Sequence, residues 1–500
     1  MPSYALQSFC HKRQKALPFL KIKIKLFMMT NIDGYYKKMT ETPVHKLILK
    51  LGLPTTISML ITNFYNLADT YFVGTIDESA QAATGVLFTL QAIIQAIAFM
   101  LGHGSGTYCA KALAEKDADT ATTYVSTAFF TGLFSGVILT VFGLIFLTPF
   151  MRFLGSTETI LPHAESYGFW VLVSCPFMIC SLILNNNLRY EGIAFFSMIG
   201  LTFGGVLNIL GDYLLVMKLH TGIYGAGLST AVSQVVGFTI LLVLYVKKAQ
   251  GSIKLKAVKL NKIVFLNILK GGFPSLIRQG LASVSNGILN NLTKPFGDSA
   301  IAAVSIVNRY TSFVLAVGIG IGQGLQPVAS FNYSAAKTGR VKQGLVFTWV
   351  FSTVIVGAFS LVGVIFAPEI ISVFQKTPEV INIGATALRF ASLGLLFLPS
   401  STTANMLFQS IRKSEVASFL ALLRSGLVFI PVLIVSTSCF KLFGIQSSQG
   451  IADVISGLIS IPFLVSFLKE NLFLGFLVPY LLLPCLLLSI PAVSNVPRTI

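Results

Sequence analysis

Long apolar stretches recur along the whole chain and are separated by short polar connections. Each stretch reaches the roughly 20 residues that an α-helix needs to cross a bilayer. Inside lipid, only helices and closed barrels satisfy every backbone polar group, and barrel strands alternate polar with apolar residues. Because these stretches do not alternate, the sequence predicts an all-α integral membrane protein.

Composition and charge distribution agree with a membrane protein. Charged residues form 11% of the 500 positions, whereas a soluble domain carries roughly 25%. The net charge of +18 is not spread as on a nucleic-acid-binding surface, since residues 1–50 hold ten Lys and Arg against Asp33 and Glu41. Most of the remaining positive charge lies between apolar stretches. We therefore expect no nucleic-acid partner and a lipid bilayer as the surroundings.

Twelve transmembrane helices are predicted, followed by an apolar segment, 473–493, that contains three prolines. That segment is either a thirteenth span or a tail. The twelve helices are predicted at 46–73, 84–109, 122–149, 166–188, 195–217, 223–247, 264–292, 299–326, 343–366, 380–408, 415–438 and 446–468.

A basic connection after the sixth helix divides the chain into two lobes. The predicted organisation is a basic leader (1–43), an N-terminal six-helix lobe (44–248), a cytoplasmic linker (249–263), a C-terminal six-helix lobe (264–469) and a hydrophobic tail (470–500). Residues 1–38 do not resemble a cleavable signal; they are either a basic arm or a leader preceding a translation start at Met39.

Basic residues favour one side of the predicted membrane. If both lobes begin in the cytoplasm, fourteen Lys and Arg fall in cytoplasmic connections and five in outer ones. Cytoplasmic loops are enriched in Lys and Arg, so both ends of the twelve-helix body are predicted to be cytoplasmic. The cytoplasmic set is Lys111, Lys116, Arg189, Lys247, Lys248, Lys254, Lys256, Lys259, Lys262, Lys337, Arg340, Lys342, Arg412 and Lys413.

The two lobes carry matching motifs in the same order. Four matches occur at offsets of 218 to 223 residues, which indicates a duplicated six-helix unit in one orientation. The paired motifs are 51–54 with 271–274, 102–106 with 320–324, 187–189 with 410–412, and 224–225 with 443–444.

Two acids in predicted spans need a functional explanation, because an ionised Asp costs about 2.5–3.5 kcal/mol at mid-membrane. Asp69 lies in the first helix and Asp212 in the fifth, one helical turn from Asn208. Thr230, near the start of the sixth helix, lies at a similar depth. Their oxygens suit a small hard cation such as Na⁺, whereas two close carboxylates can also share a proton. Mutual packing is the structural alternative.

The C-terminal lobe lacks such a cluster. Asp453 is interpreted as a polar residue near a helix end. Four arginines lie in the predicted helices, where they can pair with carbonyls or with anionic parts of a substrate, or reach an interface. These arginines are Arg278, Arg309, Arg389 and Arg424.

The motifs together resemble the multidrug and toxic compound extrusion (MATE) family, specifically its DinF-like branch, over residues 44–468. The resemblance implies two six-helix bundles with an alternating central cavity and no enzymatic activity. In that branch, the positions matching Asp69, Asn208, Asp212 and Thr230 form the cation site. The motifs that carry the resemblance are Pro54 with Asp69-Thr70-Tyr71-Phe72-Val73-Gly74, Asn208-x3-Asp212, and Gly225-x-Gly227.

The resemblance implies export of small amphipathic or cationic compounds, as a monomer in the cell inner membrane, with Na⁺ or H⁺ moving inward and no cofactor. Pro54 is the expected hinge of the first helix. Met59, Phe64, Tyr65 and Arg278 are candidate residues of the substrate cavity. A lipid-linked oligosaccharide flippase of related architecture is the alternative function.

Overall fold

The computed structural model describes residues 32–259 and 261–469, which form an almost entirely helical structure. The predicted apolar segment 473–493 lies outside these residues. The helices are α1 (32–41), α2 (Val44–Gly74), α3 (Glu78–Ala114), α4 (Ala118–Ile145), α5 (Leu147–Phe153), α6 (Leu161–Tyr190), α7 (Ala194–Asp212), α8 (Gly222–Lys248), α9 (Lys262–Thr293), α10 (Asp298–Ser334), α11 (Thr338–Ile365), α12 (Ala367–Phe374), α13 (Pro378–Leu395), α14 (Leu398–Ser410), α15 (Ser414–Leu422), α16 (Phe429–Phe440) and α17 (Leu442–Lys469).

The predicted spans are present as helices. Ten described helical segments are long and apolar enough to cross a membrane, and the pair α13–α14, bent by 46°, makes an eleventh. The remaining predicted span corresponds to α9, which has 32 residues but includes Lys270, Arg278 and several asparagines that lower its hydropathy. The twelve-helix prediction is consistent with this arrangement.

The duplication is visible element by element. Helices α3 and α10 each have 37 residues, and α4 and α11 each have 28. Each of the latter is followed by a short helix, α5 or α12. The fifth helix of each repeat also contains a π-helical segment, Tyr213–Lys218 after α7 and Leu423–Leu427 between α15 and α16. The predicted two-repeat, all-α architecture is therefore confirmed.

The described helices form two compact units that do not coincide with the two repeats. The first unit contains the described residues up to 283 together with residues 315–350 and 406–418. It therefore combines the first six spans with one end of several helices of the second repeat. The second unit contains residues 284–314, 351–405 and 419–469 of the described chain, with its own apolar clusters around α13 and around α16.

Helix α6 forms the centre of the first unit. Of its most apolar 18-residue window 72% is buried, against 28% in α4. Helix α4 approaches it through a stripe of glycines. A Cβ added at Gly136 would lie 2.6 Å from the Cα of Pro176, and one at Gly143 would lie 2.7 Å from the Leu172 side chain. Small residues permit such close helix contacts inside membranes.

Two helices begin earlier than predicted because aspartates cap them. The Asp77 carboxylate accepts a hydrogen bond from the Ala80 amide at 2.7 Å, so that α3 begins at Glu78 instead of 84. Asp117 caps α4 in the same way through the Thr120 amide at 2.9 Å. Side-chain caps satisfy the free amides of a first turn, which extends each helix beyond its apolar stretch.

The predicted leader and linker both contain residues that pack on the first unit. Helix α1 lies within the predicted leader, and its Tyr35 and Met39 are buried. The Tyr35 hydroxyl donates to the Tyr190 carbonyl at 3.3 Å.

The linker backbone lies along α4, where Ser126 accepts from the Lys254 amide at 3.0 Å and Thr127 from the Lys259 amide at 3.2 Å. Glu191 fixes the start of the linker. Its carboxylate accepts hydrogen bonds from the Tyr245 hydroxyl at 2.6 Å and the Gly251 amide at 3.1 Å. Burial raises the pKa of Glu191, and these hydrogen bonds oppose that increase.

Candidate cation site

The structure brings the four predicted site residues together inside the first unit. Asp69, Asn208, Asp212 and Thr230 are all buried, with exposed fractions between 0% and 8%. The Asn208 amide donates to the Thr230 hydroxyl at 3.1 Å. The two carboxyl groups lie close enough to interact directly. Residues separated by up to 161 positions in the sequence (69 and 230) thus form one polar cluster.

Tyr167 connects the cluster and was not predicted. Its hydroxyl donates to Asp69 Oδ1 at 2.9 Å and lies 3.0 Å from the Thr230 hydroxyl. Since a phenol has one proton, the Thr230 hydroxyl must donate to Tyr167. The resulting chain runs from Asn208 through Thr230 and Tyr167 to Asp69. Every donor in it points toward the Asp69 carboxylate.

Several buried acceptor oxygens of the cluster have no donor. Neither carboxylate oxygen of Asp212, nor the side-chain oxygen of Asn208, accepts a hydrogen bond from the part of the chain that the structure describes. Buried acceptors that lack a partner are costly and need an explanation. A bound cation or proton supplies one, because it satisfies these oxygens and offsets the charge of two neighbouring acids.

Glycines let the helices that carry these residues approach each other. A Cβ added at Gly227 in α8 would lie 3.1 Å from the Cα of Tyr167 in α6, and one at Gly205 in α7 would lie 3.1 Å from the Tyr65 ring in α2. Tyr65 is one helical turn before Asp69 and shares its face. The Gly225-x-Gly227 motif thus has a local role, because Gly227 places Thr230 beside Tyr167.

A π-helical segment, Tyr213–Lys218, begins directly after Asp212. Such segments are frequent at functional sites because they change the direction of the helix without ending it. The predicted hinge, Pro54, lies inside α2, which continues through it without interruption. Hydroxyls at Thr55 and Ser58 bond to carbonyls one turn earlier, at 2.8 and 2.9 Å. Such bonds bend helices slightly, so α2 carries two features that favour bending.

The predicted cavity residues differ in their surroundings. Phe64 is 56% exposed, whereas Met59 and Arg278 are half-buried. Tyr65 is half-buried and packs against α7 next to the cation site. Tyr65 interacts electrostatically with Asp69 of the acidic cluster.

In the second repeat the structure corrects the interpretation of Asp453. Its side chain is fully buried, it is the twelfth residue of α17, and Arg424 donates to its carboxylate at 2.8 Å. It is therefore half of a buried ion pair instead of a polar residue at a helix end. Arg309 and Arg389, which the sequence placed inside the helices of this lobe, have exposed side chains.

No group of three or more His, Cys, Asp and Glu side chains positioned to bind a metal ion occurs in residues 32–259 and 261–469. The Asp69 site contains two such side chains and completes its oxygen set with an amide and hydroxyls. Carboxylate, amide and hydroxyl oxygens are the ligands of hard cations.

The profile of the MatE family matches the chain twice, over residues 54–214 and 274–435. The two matches cover most of both repeats and lie 220 residues apart at their start, in agreement with the offset of the paired motifs. The chain belongs to the MatE family. The predicted MATE resemblance is thereby confirmed, and the chain is a multi-pass membrane protein of a transporter family.

Two curated MatE relatives are the multidrug export proteins MepA of Staphylococcus haemolyticus and Staphylococcus aureus. The first is 26% identical over 86% of this chain and 95% of its own length. The second is 27% identical over 88% of this chain and 96% of its own length. A solved multidrug resistance MATE transporter in the outward-facing conformation aligns with a TM-score of 0.81 and 22% identity, over 87% of this chain and 98% of that one. It supports the MatE fold.

Proposed function

We propose that this chain is a secondary active multidrug efflux transporter. It exports small amphipathic or cationic organic compounds in exchange for Na⁺ or H⁺ moving inward. Family membership and the names of the MepA relatives support export of drugs. Coupling to a cation is supported above all by the buried side-chain oxygens of Asp212 and Asn208 beside Asp69, which accept no hydrogen bond from the described residues. The transporter acts as a monomer in the cytoplasmic membrane, with both ends of the helical body inside and no cofactor.

The mechanism begins with cation binding between Asp69 and Asp212. Binding offsets the repulsion between the two acids and gives a partner to the buried oxygens of Asp212 and Asn208 that accept no hydrogen bond. Because Tyr65 and Asp69 lie on one face of α2, any shift of Asp69 toward Asp212 is transmitted to the helix, which bends near Pro54. Bending narrows the space beside α2, so the drug is released outside. Loss of the cation to the cytoplasm reverses the change.

The flippase alternative has less support in the second repeat. A cationic cavity for a lipid-linked sugar would use the arginines of that lobe. Arg424 is instead neutralised by Asp453. We therefore keep drug export as the proposal.

The test uses purified protein in proteoliposomes, with a Na⁺ gradient and a pH gradient imposed separately and a fluorescent organic cation as substrate. We expect one gradient to drive uptake or release, and Asp69→Asn to reduce the coupled rate to background. Asp119→Asn, which changes an acid in the exposed first turn of α4, is the matched control and should transport normally. Full gradient-driven transport by Asp69→Asn would overturn the cation-site proposal.

A further inference from the structure

The duplicated motifs of the two repeats pack against each other within the first unit. In α10, a Cβ added at Gly324 would lie 2.7 Å from the Cα of Gly52 in α2, and one at Gly320 would lie 2.5 Å from the Cα of Thr56. In α9, a Cβ at Gly272 would clash with the Met100 carbonyl of α3. The first helix of each repeat therefore crosses the second helix of the other.

Arg189 lies beside these crossings and joins the repeats. Its side chain is 1% exposed. It donates to Gln323 Oε1 at 2.5 Å, to Gln326 Oε1 at 3.4 Å and to Asn186 Oδ1 at 2.6 Å, and it lies 3.2 Å from His103 Nε2. Gln323 and Gln326 belong to α10 of the second repeat, whereas Arg189 lies in the last turn of α6 of the first. One guanidinium therefore bridges the two halves of the protein.

The bridge continues through neutral groups to other helices of the second repeat. Gln326 donates to Gln409 at 3.3 Å, and Gln409 donates to the Ser275 hydroxyl at 2.8 Å. Nearby, the Ser330 hydroxyl of α10 donates to the Thr107 carbonyl of α3 at 3.0 Å. The network thus links α6, α10, α14 and α9 around the buried Arg189 guanidinium.

The chemistry of this network suits a contact that breaks and re-forms. A buried arginine paired with a carboxylate gains strong Coulomb attraction in low dielectric, so that separating the pair is costly. The hydrogen-bond partners of Arg189 are amides and an imidazole. Water can replace amide oxygens around a guanidinium when the contact opens, and the charge then regains its hydration. The contact is specific because of its geometry, and none of the hydrogen-bond partners of Arg189 among the described residues is an acid.

We propose that Arg189 is the latch of a gate at the end of the bundle that the basic residues assign to the cytoplasm. While its hydrogen bonds to Gln323 and Gln326 are formed, the two glycine crossings stay packed and the cytoplasmic path is closed. Opening toward the cytoplasm requires these bonds to break. Arg189 is a positioning residue, and the inference rests on the proposed transport function only in that a transporter must open this side.

The test measures access to the gate directly and needs no substrate. All six cysteines are replaced by Ala, and Ser330→Cys, at the contact with α3, serves as reporter. Inside-out membrane vesicles are treated with a membrane-impermeant maleimide. We expect Arg189→Ala to label about tenfold faster than the parent, as for the loss of one strong charged hydrogen bond. In right-side-out vesicles the rate should not change.

Lys413→Ala is the control, because Lys413 is an exposed basic residue that follows α14 and belongs to the same predicted cytoplasmic set. It should label at the parental rate. If Arg189→Ala does not accumulate as a monodisperse protein, the double variant Gln323→Ala/Gln326→Ala removes the acceptors and should show the same acceleration. If the folded Arg189→Ala protein is labelled at the parental rate, the proposed gate is overturned. If the parental protein shows no gradient-driven drug export while Arg189→Ala labels faster, the proposed function is overturned and the gate is not.

Discussion

At the scale of single residues, the two acids of the cation site differ in what surrounds them. Asp69 accepts a hydrogen bond from the Tyr167 hydroxyl. The carboxylate of Asp212 accepts no such short hydrogen bond from the described residues. Two carboxylates with unequal surroundings can take different roles in one site. Tyr167 creates this asymmetry.

We expect Tyr167→Phe to lower the apparent affinity of transport for the coupling cation by about tenfold, because a charged hydrogen bond to Asp69 is lost. The measurement is the initial transport rate as a function of Na⁺ concentration or of pH. Tyr224→Phe is the control, since that exposed ring packs edge-to-face against Trp170 outside the hydrogen-bond chain. Unchanged cation dependence in Tyr167→Phe would show that the chain does not reach the coupling ion.

The buried pair Arg424–Asp453 leads to a prediction about stability. Asp453→Asn leaves the guanidinium without its counter-charge, and we expect the free energy of unfolding in detergent to fall by about 3 kcal/mol. The double variant Arg424→Met/Asp453→Leu should recover most of that loss, because well-packed apolar residues often replace a buried pair without penalty. A single variant as stable as the parent would contradict this account. Arg389→Met, at an exposed arginine, provides the control.

At the scale of elements, the glycine stripe of α4 fixes its distance from α6. Gly136→Ala should destabilise the protein by about 2 kcal/mol, because the added methyl must displace the backbone at Pro176. Gly85→Ala in α3 is a matched control, since a methyl added there would have no other atom within 4 Å. It should be neutral or slightly stabilising, because glycine lowers helix stability. Thermal unfolding in detergent measures both, and equal midpoints would contradict the packing argument.

The sequence predicted which elements exist better than where they begin. Twelve helices follow from the requirement that lipid-embedded backbone be paired, so the apolar stretches were sufficient. The ends were misjudged where Asp77 and Asp117 extend α3 and α4 into polar sequence. The tenth span was predicted as one helix over 380–408, although it bends between Leu395 and Leu398, since local bends depend on neighbours that a hydropathy pattern does not contain.

The residues of the candidate site were also predicted only in part. Asp69, Asn208, Asp212 and Thr230 were recognised because acids in a span are costly and helical spacing places Asn208 and Asp212 on one face. Tyr167 was missed because an aromatic ring in an apolar stretch resembles an ordinary core residue. Its hydroxyl was the available signal, since buried tyrosines usually have a partner. Asp453 and Arg424 are 29 positions apart in the chain, and the sequence alone does not identify such partners.

At the scale of the whole molecule, the duplication explains how the repeats hold each other. The matching motifs Gly52-Leu53-Pro54 and Gly272-Phe273-Pro274 could be found by their offset. Their partners could not, because a glycine permits close approach without specifying which helix approaches. In the structure each motif packs on the other repeat. The first compact unit consequently includes residues 315–350 and 406–418 of the second repeat.

Because each repeat packs on the other through these motifs, we expect a chain cut in the linker to stay assembled. Fragments 1–256 and 257–500, expressed together, should co-purify in detergent through a tag on the first, because the crossings of α2 with α10 and of α3 with α9 remain intact. Gly324→Val in the second fragment should reduce the yield several-fold, since its side chain would meet the Gly52 backbone. Gly339→Val, with open space around it, should not. Co-purification that is equally insensitive to both substitutions would place the cohesion of the two halves outside these crossings.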